Sequence, residues 1–337
     1  MMNKLIIISN EKVSKNSKNE FKSINVDLKI LPDGLSNFFD VECIFRKSKK
    51  ELNHKFDINK IFIGSSIFSF LYGIFKTMFK KNIYLIVSIS PYTFLSFVML
   101  FIFRKKTYVY LMSNGYEEYQ YILGKKFIWI YDFMFKFVTK FSKVIVCHER
   151  LYDPKKSFLV LPSRLNDKWT KNNSLPKLDK PRLLYVGRIN PEKGIKNFIT
   201  IFNKIDFDSE LFIAGNTEKI KESGKKINLL GYVDAEDKLI EHYDNCNITI
   251  LPSYTEAHPY VLEESLSRKR PVIIFEDIAY VKKNKKGVFI IKRNLSEVRS
   301  KIIWILSNYH SIQKEMVQND LPTMKKMLNQ FSNILKH

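Results

Sequence analysis

Short apolar runs alternate with longer segments of helical periodicity along most of the chain. The runs of the first half are continuous rather than alternating with polar residues, which is typical of strands buried on both faces of a parallel sheet. They predict strands at 5–9, 61–64, 83–89, 108–112, 144–147 and 158–161. The intervening segments 67–80, 91–104 and 127–140 are predicted to be crossover helices.

The second half repeats this rhythm after a polar, proline-containing stretch at 162–181. Strands are predicted at 182–186, 210–214, 227–230, 247–251, 271–275 and 288–291, and terminal helices at 295–306 and 316–335. Strand–helix alternation in both halves predicts an α/β chain of two doubly wound, Rossmann-like domains that face a central cleft. We expect domains at 1–165 and 182–310, a linker at 166–181, and a C-terminal helix within 311–337 that could return to the first domain.

The chain carries a net charge of +22, from 56 basic and 34 acidic residues. Such a charge favours an anionic partner, which could be nucleic acid, an anionic membrane surface or a phosphorylated substrate. Lys, Asn, Ile and Phe are all abundant, however, so the composition of an AT-rich genome explains the lysine excess equally well. Only ten of the basic residues are arginines, and no nucleic-acid-binding module is evident, so we expect no nucleic-acid partner.

The spacing of glycines and cysteines excludes several classes of protein. No two of the eleven glycines lie two positions apart, and neither Gly-Lys pair has a glycine five positions before it. The fingerprints of nicotinamide dehydrogenases and P-loop ATPases are therefore absent. The three cysteines are far apart and form no Cys-x-x-Cys, which excludes a disulfide scaffold and a zinc finger and fits a reducing compartment.

The longest largely apolar run, residues 92–103, has 12 residues, whereas about 20 are needed to span a bilayer. This run predicts a buried helix. No signal peptide is recognisable either. We therefore expect a cytoplasmic protein, with a peripheral position on the inner face of the cytoplasmic membrane as the alternative.

Two glycines and two cations follow the predicted strand at 182–186. Gly187 and Gly194 would let this loop turn and approach a ligand closely. Arg188 and Lys193 place two positive charges near the start of the next helix, an arrangement that suits a diphosphate. The alternative is an ordinary solvated loop in a basic protein.

Two carboxylates follow the predicted strand at 247–251. Glu256 lies in the loop, and Glu264 lies eight residues later on a helix whose first turn we expect to contain Pro259. A carboxylate accepts hydrogen bonds from two adjacent hydroxyls, so each suits a vicinal diol of a sugar or ribose. The free amides at the start of that helix would attract a phosphate between them. The alternative is an acidic helix start favoured by the helix dipole.

Four stretches of the second half resemble the family-4 retaining glycosyltransferases of the GT-B fold. They are YVGRINPEKGI (185–195), LFIAGN (211–216), LLGYV (229–233) and ITILPSYTEAHPYVLEESLSRKRPVI (248–273). Glu256 and Glu264 share the Glu-x7-Glu register of that family. The resemblance covers about residues 180–310, whereas the first half shares only the rhythm of strands and helices.

The resemblance implies roles for individual residues. Arg188 and Lys193 would hold the donor diphosphate, Glu264 would bind the ribose hydroxyls, and Glu256 would contact and orient the donor sugar; Glu256, Arg188 and Lys193 form the implied catalytic set. The nucleotide sugar would also meet Gly187, Gly231, Tyr232, Val233, Ala257, His258, Pro259, Tyr260 and Val261.

The implied reaction moves a sugar from a UDP- or GDP-linked donor to a carbohydrate or lipid-linked saccharide, with retention of configuration. It implies no cofactor and no metal, since in such enzymes the leaving diphosphate helps to deprotonate the acceptor. Lipopolysaccharide or capsular polysaccharide is the expected product. The alternatives are a sugar-nucleotide hydrolase or epimerase of the same fold, and a basic nucleic-acid- or membrane-binding protein without catalysis.

The chain departs from the family pattern at several positions. Ala257 and His258 stand where Gly-Phe is usual, so the donor sugar is not predicted. Residues 113–115 (Ser-Asn-Gly) replace a usual histidine in the first half. Candidates for the acceptor side are therefore limited to Asn114, Glu117 and His148, which follow predicted strands.

Residues 125–143 combine aromatic side chains with five lysines. This pattern suits a helix lying in a membrane interface, with its lysines near lipid phosphates. A core-packing helix in a Phe- and Lys-rich protein would look the same. Because an interfacial helix needs exposed rings, the accessibility of Trp129 and Phe133 distinguishes the two.

Overall fold

The computed structural model describes residues 2–24, 26–112, 115, 116, 119, 124–171, 174–220, 224, 226–256 and 258–336. The chain divides into two units. One comprises Met1–Arg164 together with Met324–His337, and the other comprises Leu165–Thr323. The second unit is thus continuous in sequence, whereas the first is assembled from two separate segments.

A mostly parallel sheet forms the centre of the first unit. Its strands are β1 (Lys4–Lys15), β2 (Phe21–Ser23), β3 (Asp40–Lys47), β4 (His54–Lys55), β5 (Ile61–Gly64), β6 (Ile83–Val87), β7 (Thr107–Leu111), β8 (Lys143–Val146) and β9 (Ser157–Leu159). The parallel strands follow the order β5-β3-β1-β6-β7-β8-β9, and the short β2 and β4 continue from the later part of β1 in antiparallel pairing. β1 buries consecutive residues because both faces of the sheet are covered.

The sheet of the second unit is entirely parallel. Its strands are β10 (Arg182–Val186), β11 (Glu210–Ala214), β12 (Ile227–Gly231), β13 (Ile248–Leu251), β14 (Val272–Phe275) and β15 (Val288–Ile291). They follow the order β12-β11-β10-β13-β14-β15. The order reverses between β10 and β13, and in such sheets ligands bind beyond the carboxyl ends of the strands at this point.

Helices cover both sheets. They are α1 (Val26–Leu35), α2 (Ile67–Thr77), α3 (Pro91–Ile102), α4 (Ile128–Phe141), α5 (Asp167–Thr170), α6 (Ile195–Phe202), α7 (Glu236–Asn245), α8 (Tyr260–Ser267), α9 (Leu295–Ser307), α10 (Tyr309–Met316) and α11 (Met324–Lys336). In the first unit, α1 and α11 pack into one hydrophobic core and α2, α3 and α4 into another, on opposite faces of the sheet. In the second unit, α6, α8, α9 and α10 share one core, while α5 and α7 pack on a smaller one.

The structure confirms every strand predicted from a continuous apolar run. It also contains β2, β3, β4 and α1, which the sequence pattern does not predict. The predicted helix at 316–335 is wrong as a single element, because α10 ends at Met316 and α11 begins only at Met324. Pro322 lies in the gap; it lacks a backbone N–H and disfavours helical geometry in the residue before it.

The apolar run at 92–103 forms helix α3, as predicted, but its predicted burial is only half correct. Phe97 and Leu100 are buried against the sheet, whereas Leu95, Phe101 and Ile102 are exposed on the opposite side. Within the part of the chain that the structure describes, no helix is long and apolar enough to cross a membrane.

The segment predicted as a linker packs onto the second unit through two buried arginines. Arg268 donates to both carboxylate oxygens of Asp244, at 2.9 and 2.6 Å, and to the backbone carbonyls of residues 168, 169 and 171. Arg270 donates to further backbone carbonyls, including that of Ser174 at 2.8 Å. Trp169 on α5 is buried in the same region. Residues 168, 169, 171 and 174 are therefore held by specific contacts.

Candidate active site

The loops after the six strands of the second sheet meet at one edge, because all of these strands are parallel. Neighbouring loops are joined directly through their glycines. The Gly187 amide donates to the carbonyl of Ala214 at 2.9 Å, and the Gly215 amide donates to the carbonyl of Gly231 at 2.8 Å. This edge carries Arg188, the residues after Gly231 and the loop with Glu256.

Lys193 and Glu256, which lie 63 residues apart, form an ion pair at this edge. Lys193 Nζ is 2.7 Å from Glu256 Oε1, and both side chains are mostly buried. Ser253 Oγ donates to the same carboxylate oxygen at 2.6 Å. The structure thus brings together a cation from the loop after β10 and a carboxylate from the loop after β13.

The Glu256 loop is held by residues that the sequence pattern does not single out. The Tyr280 hydroxyl accepts from the Glu256 amide at 3.0 Å and donates to the Glu256 carbonyl at 2.5 Å. Arg293 donates to the carbonyl of Pro252 at 2.9 Å and to Asp277 at 2.7 Å. Arg293 lies two residues after the end of β15, so testing every strand end for polar residues would have found it.

Arg188 occupies the other side of the loop after β10. Its side chain is 74% exposed, and its Nη2 lies 3.9 Å from Glu192 Oε1. The backbone at this point is fixed, since the Tyr185 hydroxyl donates to the Arg188 carbonyl at 2.6 Å. Burial raises the pKa of Tyr185 above its usual value, so this hydroxyl stays protonated and remains a donor. The guanidinium thus projects from a rigid backbone.

Glu264 is buried in the middle of α8. Its Oε2 accepts a hydrogen bond of 2.9 Å from the Tyr243 hydroxyl on α7. The structure therefore places the two glutamates in different surroundings, Glu256 beside a lysine and Glu264 beside a tyrosine. A carboxylate can accept hydrogen bonds from more than one group at a time.

The start of α8 differs slightly from the expected one. The helix begins at Tyr260, so Pro259 precedes the first turn instead of lying within it, and its backbone is extended. No side chain caps this end. Tyr260 and Val261 are partly buried in the first turn. The Leu262 amide donates to the backbone carbonyl of Pro259 at 3.1 Å.

His258 makes a contact that the sequence does not predict. Its Nε2 lies 3.3 Å from Oε2 of Glu263, a buried carboxylate on α8. The Glu-x7-Glu pattern draws attention to Glu256 and Glu264, not to Glu263. Ala257, which is next to His258 in sequence, lies outside the described residues.

The structure describes some of the remaining candidate residues and not others. Tyr232 is exposed and Val233 is half-buried after Gly231, which has a positive φ of 71°. His148 follows β8 and is half-buried. Asn114 and Glu117, the other acceptor-side candidates, lie outside the described residues.

Replacing Gly194 with alanine should destabilise the second unit more than the same change at Gly231. Both glycines have positive φ, 66° and 71°, so each alanine costs about 1–2 kcal/mol of backbone strain. A Cβ at Gly194 would also lie 2.0 Å from the Pro252 carbonyl oxygen, whereas a Cβ at Gly231 meets nothing within 4 Å. We expect G194A to lose about 1–3 kcal/mol more in urea unfolding. Equal losses of unfolding free energy in the two variants would show that the close approach of the two loops does not contribute to stability.

Residues 167–320 match the family model described as Glycosyl transferases group 1. An uncharacterized glycosyltransferase of Methanocaldococcus jannaschii is 24% identical over 211 residues, which are 58% of each chain. The N,N'-diacetylbacillosaminyl-diphospho-undecaprenol alpha-1,3-N-acetylgalactosaminyltransferase of Campylobacter jejuni is 21% identical over 217 residues, 60% of this chain and 57% of the relative. The chain thus spans less than two thirds of the length of these relatives.

The fold is also similar to that of solved structures. Anabaena HepE, determined in complex with UDP, superposes with a TM-score of 0.69 at 10% identity, covering 99% of this chain and 100% of that one. At this identity the similarity bears on the fold, which is the GT-B fold expected from the sequence.

Proposed function

We propose that this chain is a group 1 glycosyltransferase, the family whose model matches residues 167–320, and that it moves a sugar from a nucleoside diphosphate to a saccharide with retention of anomeric configuration. The observation that carries the proposal is the ion pair between Lys193 and Glu256 at the carboxyl edge of the second sheet. It supplies a cation for phosphate and a carboxylate for sugar hydroxyls within one hydrogen bond of each other.

The diphosphate of the donor binds between Lys193 and Arg188 in this proposal. In the free protein Glu256 neutralises Lys193, and the exposed Arg188 guanidinium extends toward solvent. An arriving diphosphate can take hydrogen bonds from both cations, and the positive end of the α8 helix dipole adds to the positive potential. Glu256 then remains beside the diphosphate, in position to accept hydrogen bonds from the donor sugar.

The ribose of the donor binds to Glu264. This carboxylate is buried, and Tyr243 already fixes the orientation of one of its oxygens. A preoriented carboxylate accepts two adjacent hydroxyls at a lower entropic cost than a mobile one. The base stacks near Gly231, Tyr232 and Val233, where the exposed Tyr232 ring offers an apolar surface.

Retention follows from attack on the same face of the sugar from which the diphosphate leaves. The acceptor oxygen bonds to the anomeric carbon as the bond to the leaving phosphate oxygen breaks, and that phosphate oxygen takes the acceptor proton. Lys193 and Arg188 stabilise the charge that gathers on the diphosphate. Glu256 positions the sugar, and no side chain of the second unit is needed as a nucleophile.

The acceptor is a carbohydrate, in this proposal a lipid-linked saccharide of lipopolysaccharide or capsule synthesis. The name of the Campylobacter jejuni relative, which describes transfer to a diphospho-undecaprenol-linked sugar, supports this choice. The donor carries UDP or GDP. The UDP complex of Anabaena HepE, which has the same fold, makes UDP the first nucleotide to test.

Replacing Glu264 with alanine should weaken nucleoside diphosphate binding by about 1–3 kcal/mol, the loss expected for a buried hydrogen bond to a charged group. Titration calorimetry with UDP and GDP, and then with their sugar conjugates, measures this loss directly. Glu241→Gln on α7 is the matched control, because Glu241 is an exposed glutamate of the same unit. Thermal unfolding of each variant separates loss of binding from loss of folding.

Equal affinity of Glu264→Ala and wild type would contradict the assignment of the ribose site. Binding of neither nucleotide by wild type would contradict the proposed function itself. A bound donor that is hydrolysed equally fast with and without any saccharide would favour the sugar-nucleotide hydrolase.

A further inference from the structure

Helices α2, α3 and α4 lie side by side on one face of the first sheet and use only part of their apolar surface for the core. Their inner faces contribute buried residues such as Phe70, Phe97 and Met134 to a single hydrophobic cluster. Their outer faces carry large apolar side chains that stay in contact with solvent. Together with Phe79, Phe103 and Phe127 just beyond the helix ends, we call these side chains the aromatic face; the others are Phe68, Tyr72, Phe75, Leu95, Phe101, Ile102, Trp129, Phe133 and Phe141.

The exposure of these side chains is large. Phe68 is 82% exposed, Trp129 is 65% exposed and Phe133 is 59% exposed. The accessibility of Trp129 and Phe133 is the feature that distinguishes an interfacial helix from a core-packing one, and both rings are exposed. Single exposed apolar residues are ordinary, but many together on adjacent helices mark an interaction surface.

The rings form a continuous layer between α3 and α4. Phe94 lies 5.9 Å from Phe133, and Phe101 lies 4.9 Å from Phe141, measured between ring centroids. Phe137 lies within 6.3 Å of the rings before and after it on α4. On α2 the exposed rings recur at Phe68, Tyr72 and Phe75, a spacing that places them on one stripe of the helix, and Phe79 follows two residues after its end. These faces are therefore ordered surfaces, not isolated side chains.

Positive charge surrounds the aromatic face. Residues 58–116 contain seven basic residues and no Asp or Glu. Lys80, Lys81, Arg104 and Lys106 are exposed at the ends of α2 and α3. The single acidic residue of 125–143, Asp132, is paired with Lys136 at 2.7 Å. The lysine side chains border the rings, with Lys76 Nζ 4.5 Å from the Tyr72 ring centroid.

We propose that the aromatic face docks the first unit onto an anionic lipid bilayer. Rings at the level of the headgroups with lysines beside them are the composition of interfacial helices, in which apolar burial and attraction to anionic lipid add. A second copy of the chain would bring two positive surfaces together and is disfavoured by repulsion. The helices have 11, 12 and 14 residues and lie flat against the sheet, so they rest on the bilayer without crossing it.

This inference does not depend on the proposed glycosyl transfer, because binding to lipid is measured without donor or acceptor. The full chain is mixed with extruded vesicles of phosphatidylcholine alone or with phosphatidylglycerol, and the bound fraction is measured by sedimentation. We expect binding to the anionic vesicles only, weakened by salt. The double variant Trp129→Ser/Phe133→Ser should bind the anionic vesicles about tenfold more weakly than wild type, or weaker still. Replacing Lys80 or Lys81 with glutamine should lower the affinity about fivefold for each lysine removed.

The matched control is Ile303→Ser/Trp304→Ser, which removes two exposed apolar side chains from α9 in the other unit. It should bind anionic vesicles as wild type does. A second measurement tests the location of binding: in Trp304→Phe the exposed fluorophore is Trp129, since Trp169 is buried. Its emission should shift to the blue on binding and be quenched by brominated acyl chains.

Several results would overturn the proposal. These are equal binding of wild type and Trp129→Ser/Phe133→Ser, the same affinity for neutral and anionic vesicles, and absence of Trp129 quenching in bound protein. The aromatic face would instead bind a second copy of the chain if wild type self-associates without binding lipid and Trp129→Ser/Phe133→Ser abolishes that self-association.

Discussion

Replacing Lys193 with methionine is expected to slow sugar transfer by about 10²–10³-fold, the usual effect of removing one charge-stabilising donor from an enclosed site. Lys193 Nζ lies 2.7 Å from Glu256 Oε1 and is mostly buried. An ammonium held in this environment stabilises the charge developing on the leaving diphosphate more than an ammonium in water would. Methionine keeps the unbranched chain and removes the charge. The measurement is the initial rate of nucleoside diphosphate release with a polyprenyl-diphosphate-linked saccharide as acceptor.

Lys196→Met is the matched control, because Lys196 is an exposed lysine only three residues further along on α6. It should keep the wild-type rate. If the two members of the ion pair act together, Glu256→Gln combined with Lys193→Met should cost less than the sum of the single changes. A Lys193→Met rate within about threefold of wild type would remove this lysine from the catalytic set.

Replacing Asp244 with alanine is expected to destabilise the second unit by about 3–5 kcal/mol, the cost of leaving a buried charge without its partner. Arg268 and Arg270 are 1% and 0% exposed, and Asp244 accepts two hydrogen bonds from Arg268 and lies 3.5 Å from Arg270. Burial lowers the pKa of Arg270, which nevertheless stays charged, so losing the carboxylate leaves two buried cations. Urea unfolding measures the free-energy change.

Asp206→Ala provides a close comparison. Asp206 accepts two hydrogen bonds from Arg299, at 2.8 and 3.0 Å, but both side chains are largely exposed. An exposed pair contributes about 0–1 kcal/mol, so this variant should unfold almost as wild type does. Similar losses for both variants would mean that burial of Arg268 and Arg270 does not determine the strength of the Asp244 contact.

Strands were predictable where both faces of the sheet are covered, because the side chains on both faces are then apolar. β5, β10 and β11 were bounded correctly because every residue within them is wholly or partly buried, so apolar runs mark them. β3 was missed although it lies between β1 and β5, since Asp40 and Glu42 interrupt its apolar residues. Lys60 and Lys4 pair with these two carboxylates, and such contacts between distant residues are not visible in the local pattern.

The candidate site was predictable for residues that follow strand ends in recognisable motifs. Lys193 and Glu256 belong to two such motifs, and the structure joins them. Ser253, Tyr280 and Arg293 were missed because they act on the Glu256 loop through tertiary contacts, which have no fixed sequence spacing. The roles of Glu264 and Arg188 toward a donor stay predictions, since they depend on a bound nucleotide.

The solvent exposure of apolar side chains on the helices was the least predictable property. The run at 92–103 is apolar all round, so its sequence cannot say which side of the helix meets the sheet. Only the packing of α3 between α2 and α4 leaves Leu95 and Ile102 outside.

The discontinuous first unit has a consequence for synthesis on the ribosome. Its core contains Met327, Leu328 and Phe331 of α11, and Gly34 of α1 lies directly against Leu328. These residues are translated only after the whole of Leu165–Thr323. The unit begun first is therefore completed last, and until α11 arrives the apolar side of α1 lacks its cover. During that interval the nascent chain exposes a hydrophobic surface of the kind that chaperones bind.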